Sequence, residues 1–348
     1  ASNLVCWKNN LTSLDVSDNT ALVLLGCDTN ELTVLDLSHN PALQTLYCYS
    51  NKLTTLNVSG CSELLELSCA HNQLTSLNIR DCTKLQRLVC WKNMLTSLNV
   101  SGNTALVLLS CDANELTALD LSHNPALQML YCNSNKLTSL NLSGCSELVE
   151  LSCSENALKN LDVSKNTILQ KLWCPNNELS VLDVSQNSEL LLLSCYNNSL
   201  NRLDVTGNTA LRGIACQNNG LKALNISPCG VLTQLITDVN PEIEDGVVIY
   251  MDNTGTDAFR WLYFDAATLL VTPDTAPGFV LPAALTRIED GAFADVPNLI
   301  TVYIPSTVTY IDPNAFGTAD ELYIFGQTGS AAETFAQRSS AYTFIPAA

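Results

Sequence analysis

Residues 22–42 read Leu22-Val23-Leu24-Leu25-Gly26-Cys27-Asp28-Thr29-Asn30-Glu31-Leu32-Thr33-Val34-Leu35-Asp36-Leu37-Ser38-His39-Asn40-Pro41-Ala42, and Leu43 opens the same phrase again. Cysteines stand at 6, 27, 48, 69, 90, 111, 132, 153, 174, 195 and 216, a step of 21 each time. Asparagines stand at 9, 30, 51, 72, 93, 114, 135, 156, 177, 198 and 219 with the same step. Self-similarity at a fixed short period is the mark of a solenoid, in which each coil packs only on its neighbours. That architecture lets 348 residues fold without one oversized core.

Each residue type has a task. Leu25 and Cys27 alternate with Gly26 and Asp28, so one side of a short strand is buried. Stacked coils turn these strands into a parallel sheet, Leu over Leu and Cys over Cys. Asn30 follows where the chain turns inward, and its amide can satisfy backbone groups the turn would bury. Cys27, Asn30, Cys48, Asn51, Cys111 and Asn114 exemplify two structural ladders. Leu35 and Leu37 repeat the alternation, which predicts a second short extended segment. The gap, rich in Thr, Asp, Ser and Asn, is too short for a long helix.

The pattern LxxLxCxxNxLxxLDLxxN resembles the 21-residue IRREKO class of bacterial leucine-rich repeats. The resemblance covers roughly residues 4–230. It implies a leucine-rich-repeat solenoid: a β-rich right-handed superhelix with a parallel sheet on one face and short extended or 3-10 segments on the other. Residues 1–240 are read as about 12 coils, the first truncated and the last, Leu232-x-x-Leu235-x-Thr237-x-x-Asn240, degenerate. Residues 4–79 also match residues 88–163 at about three quarters of positions, an offset of four coils that points to duplication.

Past residue 240 the phase is lost. Residues 241–278, with strand-like Val247-Val248-Ile249-Tyr250 and Leu269-Leu270-Val271, are read as an irregular β junction with one or two hairpins. A period of 23 then pairs Pro282 with Pro305, Ile288 with Ile311, Ala292-Phe293 with Ala315-Phe316, and Leu299 with Leu322. These units resemble the repeats of BspA-like bacterial surface antigens, with Val296 and Ala319 where that family usually has Cys. Residues 279–348 are therefore expected to hold two such repeats and a terminal cap. The cap would be a short helix near Gly329–Ala336, with Ser330 as its N-cap.

A net charge of −18 repels phosphate backbones, so nucleic acid is not an expected partner. No apolar run is long enough for a transmembrane segment. The first residues carry no signal-peptide pattern, and Leu4-Val5-Cys6 already belongs to a coil. An export signal and an N-terminal cap are expected to precede them.

The 15 cysteines invite a site reading. There is no CxxC and no zinc-type Cys/His spacing. Cys61, Cys82, Cys145 and Cys229 fall where other coils have Asn19, Asn40 or Asn103. Buried free thiols are the favoured reading, since free Cys packs as a small hydrophobe and stacked Cβ vectors suit a bridge poorly. Disulfides and a metal site stand as alternatives. Such thiols are unusual in an oxidising compartment. Both resemblances nevertheless imply an exported protein, extracellular or on the bacterial cell surface.

The residues flanking Cys should point outward. Before it stand Tyr47, Tyr131 and Trp173, alternating with small residues; after it stand Trp7, Tyr49, Trp91 and Tyr196. Rings would recur about every 10 Å, two coils per step. Either they shield the small residue of the next coil, or they form a binding stripe for a protein or glycan. The column Asp15, Asp36, Asn57, Asn78, Asn99, Asp120, Asn141, Asp162, Asp183, Asp204, Asn225 fits hydrogen bonding to nearby Ser, Thr and backbone groups. Calcium between coils is its other reading. No cofactor fingerprint and no asymmetric catalytic constellation is present. The function expected is thus non-catalytic recognition through the sheet, with an adhesin as the concrete form. A structural spacer is the alternative.

Overall fold

The computed structural model of the chain describes residues 2–216, 218–219, 248–249, 262–263, 279–280, 287–288, 293, 301–316 and 322–347. The degenerate coil at 232–240 and the run at 269–271 lie outside them. The chain divides into two compact units, Ala1–Glu178 and Leu179–Ala348.

The first unit is a leucine-rich-repeat solenoid. Its strands Asn3–Val5, Leu24–Gly26, Thr45–Tyr47, Glu66–Ser68, Arg87–Val89, Leu108–Ser110, Met129–Tyr131, Glu150–Ser152 and Lys171–Trp173 pair in parallel. Every partner lies one coil along, as in Leu4↔Leu25 and Leu25↔Leu46. Leu25, Leu46, Leu67, Leu88 and Leu109 are fully buried, as are Cys27, Cys48, Cys69, Cys90 and Cys111. Burial of these side chains, each contributing about 1.5–3 kcal/mol, carries the stability of each coil interface.

The asparagine ladder closes the turns. Asn114 Nδ2 donates to the carbonyls of Cys90, Cys111 and Asp112 at 3.1, 3.0 and 3.2 Å, and its Oδ1 accepts from Leu95 N at 3.0 Å. Asn30 and Asn51 repeat the arrangement one coil apart. A second column holds the far side of the coil. Asn103 Nδ2 reaches Ile79 O and Cys82 O at 3.1 and 2.8 Å, and Asn124 Nδ2 reaches Val100 O and Asn103 O. Cys61, Cys82 and Cys145 occupy the same slot. Their thiols donate to the equivalent carbonyls of Leu37, Val58 and Leu121 at 3.3, 3.8 and 3.4 Å. A thiol is a weaker donor than an amide, so the column keeps its geometry with a softer bond.

A third column has no signature in the sequence. The residue before each ladder asparagine is left-handed: φ is 59° at Lys8, 56° at Thr29, 53° at Ser50, 57° at His71, 52° at Lys92, 52° at Ala113, 51° at Ser134 and 55° at Glu155. Left-handed backbone costs an L-residue roughly 1–2 kcal/mol, and a β-branched one such as Thr29 is an outlier. The ladder holds it: the Thr29 N–H donates to Tyr49 O at 2.9 Å, while Asn30 binds the carbonyls of Cys27 and Asp28. Thr29→Asn should therefore stabilise the fold by about 1 kcal/mol, seen as a higher urea midpoint at unchanged slope. An unchanged or lower midpoint would mean the column is not strained.

The second extended segment forms in only some coils. Val34–Asp36 pairs with Thr55–Asn57, and Ala118–Asp120 pairs with Ser139–Asn141. In both places an Asn amide reaches the Asp of the preceding coil, Asn57 to Asp36 and Asn141 to Asp120, each at 2.9 Å. Elsewhere in the unit the half-coil is irregular.

In the second unit Leu192–Ser194 and Gly213–Ala215 continue the same one-coil register between themselves. Val248–Ile249 and Leu262–Tyr263 form an antiparallel pair. Phe279–Val280, Thr301–Ile304, Leu322–Gly326 and Tyr342–Pro346 make a parallel sheet, and Arg287–Ile288 pairs with Tyr310–Ile311. The second, longer period is visible in the pairs Phe279↔Val302 and Ile288↔Ile311 and in the stack of Phe293 on Phe316, 4.5 Å apart. The helix Ala331–Ala336 packs Phe335 against Phe316 and Tyr342. Ser330 occupies its N-cap position, but its hydroxyl makes no capping bond and is buried without a partner. Glu333 reaches back over this end, its carboxylate accepting from Gly329 N at 2.6 Å. That bond ties down the turn before the helix and is not the one a capping hydroxyl makes, which takes an N–H two or three residues into the helix.

Candidate recognition face

The inward side of each strand repeats coil by coil. The outward side does not, and in the first unit it presents three columns. Tyr47, Tyr131 and Trp173 lie in the middle one, and Trp7, Tyr49 and Trp91 in a parallel one beside it, so the rings form two rows rather than one stripe. Trp7 and Tyr49 are 52% and 39% exposed; Tyr47, Trp91, Tyr131 and Trp173 are half-buried. Tyr196 belongs to the second unit, where it is half-buried beside the strand Leu192–Ser194.

The third column, at the start of each strand, supplies polar partners to two of the middle-column rings, and the repeat pattern alone does not single it out. Tyr47 Oη donates to Glu66 at 3.1 Å, and Arg87 Nε lies 3.5 Å from the same carboxylate. Four coils on, Tyr131 Oη donates to Glu150 at 3.0 Å, and Lys171 Nζ lies 3.4 Å from it. Burial pushes Tyr131 up to about 12, with the Glu150 bond adding to the shift. Lys171 Nζ also sits over the Trp173 ring, 5.8 Å from its centroid. Glu66 and Glu150 stand at matching places in the two copies of the duplicated segment, which is why the Tyr–Glu bond occurs twice.

Asp28 is buried on the outward side and accepts a hydrogen bond from Tyr49, which raises the phenol's pKa. Its counterpart Asp112 accepts from Ser110 Oγ at 2.8 Å, Asn133 N at 3.0 Å and Asn133 Nδ2 at 2.6 Å. Tyr49 and Asn133 are different residue types that keep the same bond to the neighbouring acid. Ala70, between Tyr49 and Trp91 in its column, is only 1% exposed, whereas Ser68, Ser110 and Ser152 of the middle column are half-buried.

Among the described residues the cysteines form no metal or disulfide site. The fourteen described are free thiols, and Cys229 lies outside the described residues. Desolvation pushes Cys27, Cys69, Cys153 and Cys216 up to about 12, which leaves them protonated and unreactive at neutral pH. Among the described residues no group of three or more His, Cys, Asp or Glu could hold a metal ion. The Asp/Asn column makes turns instead. Asp15, Asp36, Asn57, Asn78, Asn99, Asp120, Asn141 and Asp162 each accept, through Oδ1, the backbone N–H two residues on at 2.9–3.3 Å. Those bonds hold the carboxyls of Asp15, Asp36, Asp120 and Asp162 below the usual range.

Solved structures of bacterial leucine-rich-repeat proteins share this fold. The functional domain of InlJ from Listeria monocytogenes, which includes a cysteine ladder, matches with a TM-score of 0.64 and 30% identity over 94% of this chain. The chain spans 63% of that domain's length. A leucine-rich-repeat protein of Leptospira interrogans matches with a TM-score of 0.53 and 20% identity over 95% of this chain and 85% of its own. YopM, a leucine-rich effector of Yersinia pestis, matches with a TM-score of 0.55 and 23% identity over 68% and 71%. The LVIVD-repeat family model matches residues 175–198. No curated protein matches. No helix among the described residues is long and apolar enough to cross a membrane.

Proposed function

We propose that this chain is a non-catalytic recognition protein, secreted or attached to the bacterial surface, that holds a protein partner against the outward side of its parallel sheet. An adhesin is the concrete form of that role. By the same reading its coils are of the IRREKO class and its C-terminal repeats are BspA-like. The observation that carries the proposal is the difference in period between the two sides of the strand. Inward residues follow the one-coil step that packing demands, whereas Trp7, Tyr49 and Trp91 and the Tyr–Glu–cation networks follow none that the core needs. Rigid aromatic side chains among fixed polar groups suit anchoring of a partner at low entropic cost.

The spacer reading draws on a separate fact: Tyr47, Tyr49 and Tyr131 already spend their hydroxyls on neighbouring coils, as shielding rings would. Screening the purified chain against a panel of extracellular host proteins separates the two. Saturable binding of a panel member supports recognition, and uniform silence supports the spacer.

A further inference from the structure

The left-handed column contains information that packing does not explain. Asn is among the residues best tolerated in left-handed backbone, and the chain uses it there at Asn176, Asn197 and Asn218. The eight preceding coils place Lys, Thr, Ser, His, Lys, Ala, Ser and Glu at the same position. Strain kept where a relaxed alternative exists points to a use for the side chain.

One stretch of that ridge stands out. Lys92 Nζ lies over the Trp91 ring, 5.4 Å from its centroid, and the His71 ring meets the same indole edge-on at 6.0 Å and 81°. Both His71 and Lys92 are left-handed, with φ of 57° and 52°. Lys52, Lys84, Arg87, Lys136, Lys159 and Lys171 are ion-paired; among the described residues Lys8, Lys92 and Lys165 make no ion pair, and of these three Lys92 is the one whose ammonium lies over a ring. The acid on the next coil, Asp112, is engaged by Ser110 and Asn133. Lys92 is thus a cation held over an indole and not consumed by an ion pair in a chain of net charge −18. The remote acids that make up the total are screened beyond a Debye length of about 10 Å.

We propose that the corner formed by His71, Trp91 and Lys92 binds a carboxylate side chain on an acidic segment of the protein partner. Lys92 supplies the countercharge, the His71 ring a second donor, and the Trp91 face a bed for the aliphatic stem of Glu or Asp. The proposal rests on the reading of the sheet as a recognition face and names the chemistry of what it recognises.

A hexaglutamate peptide is the probe, titrated against the whole chain by calorimetry, with hexalysine as the control. Hexaglutamate should bind, hexalysine should not, and affinity should fall as salt rises from about 50 to about 300 mM. Lys92→Asn should weaken binding about fivefold or more while raising the urea midpoint, because it relaxes the backbone. A merely structural lysine would move the midpoint and leave affinity unchanged. Failure of hexaglutamate to bind, unchanged affinity in Lys92→Asn, or binding reproduced by inorganic phosphate with no response to the peptide would each overturn the proposal. A panel protein whose binding survives Lys92→Asn would sink this corner but leave the recognition face standing. Hexaglutamate binding with a silent panel would do the reverse.

Discussion

Raising the pH from about 9 to about 10.5 in the presence of a reductant should unfold the chain steeply and cooperatively. The cause is the cysteine ladder. Cys27, Cys69, Cys153 and Cys216, with Cys82 and Cys145 of the second column, are pushed up to about 12 by burial from an ordinary value near 9. Cys48, Cys90, Cys132 and Cys195 move in the same direction. A folded-state pKa above the unfolded one means that the folded chain keeps protons the unfolded chain releases. Stability is therefore intact below about pH 9 and is lost as pH climbs toward about 12. Each thiol contributes a slope of about 1.4 kcal/mol per pH unit once the unfolded form titrates. Ten thiols acting together would remove a typical stability of 5–15 kcal/mol within roughly one unit. Circular dichroism and thiolate absorbance at 240 nm, followed together, check this. Thiolate absorbance should rise only as the fold is lost. A gradual rise near pH 9 with intact dichroism would show the thiols to be accessible and the ladder unburied.

Asn114→Ala should cost about 3–5 kcal/mol. The side chain is buried and serves four backbone groups, the carbonyls of Cys90, Cys111 and Asp112 and the N–H of Leu95. Removing it strands the Leu95 N–H, at about 1–3 kcal/mol, and takes one donor from each carbonyl, at about 0.5–1.5 kcal/mol apiece, because Asn93, Asn135 and Lys92 still serve those carbonyls. Water entering the vacated space satisfies part of them, so the sum falls short of the maximum. Stability of a repeat array depends on nearest-neighbour interfaces, and this residue sits at one in the middle of the first unit. Asn99→Ala is the control: Asn99 is exposed and closes a local turn through Ser101, so its loss should cost well under 1 kcal/mol. Urea unfolding of both variants reads the difference. Equal costs would mean that the ladder asparagine is no more than a turn residue.

Much of this fold is legible in one coil. Leu25, Cys27 and Asn30 announce strand, stack and turn because each is demanded in every coil by a neighbour of the same kind. The left-handed column is not legible, since Lys, Thr, His and Glu do not favour that backbone. Tertiary hydrogen bonds from Asn30 and its equivalents impose it. The second extended segment misleads in another way. Val34–Asp36 and Ser76–Asn78 share the pattern x-Leu-Asx, but the former carries an Asp that Asn57 of the next coil reaches, where the latter carries Asn78. Local pattern does not contain that cross-coil fact. At the candidate face the aromatics are visible because they break the repeat. Glu66, Glu150 and Lys92 are not, because their meaning lies in what the neighbouring coils offer them. Glu66 and Glu150 find a phenol and a cation there, and Lys92 makes no ion pair among the described residues.

Recognition, on this reading, belongs to one side of the coil. Two multiple variants test it against whichever panel protein the chain binds. The first carries Tyr49→Ala, Trp91→Ala and Tyr131→Ala on the outward side of the sheet. The second carries Val34→Ser, Asn99→Ser and Val181→Ser, three exposed residues of the second half-coil. With both folded by circular dichroism, the first should lose at least about tenfold in affinity, or about 1.4 kcal/mol, and the second should bind as the parent does. Retained binding by the first variant, or equal loss by both, would contradict the account.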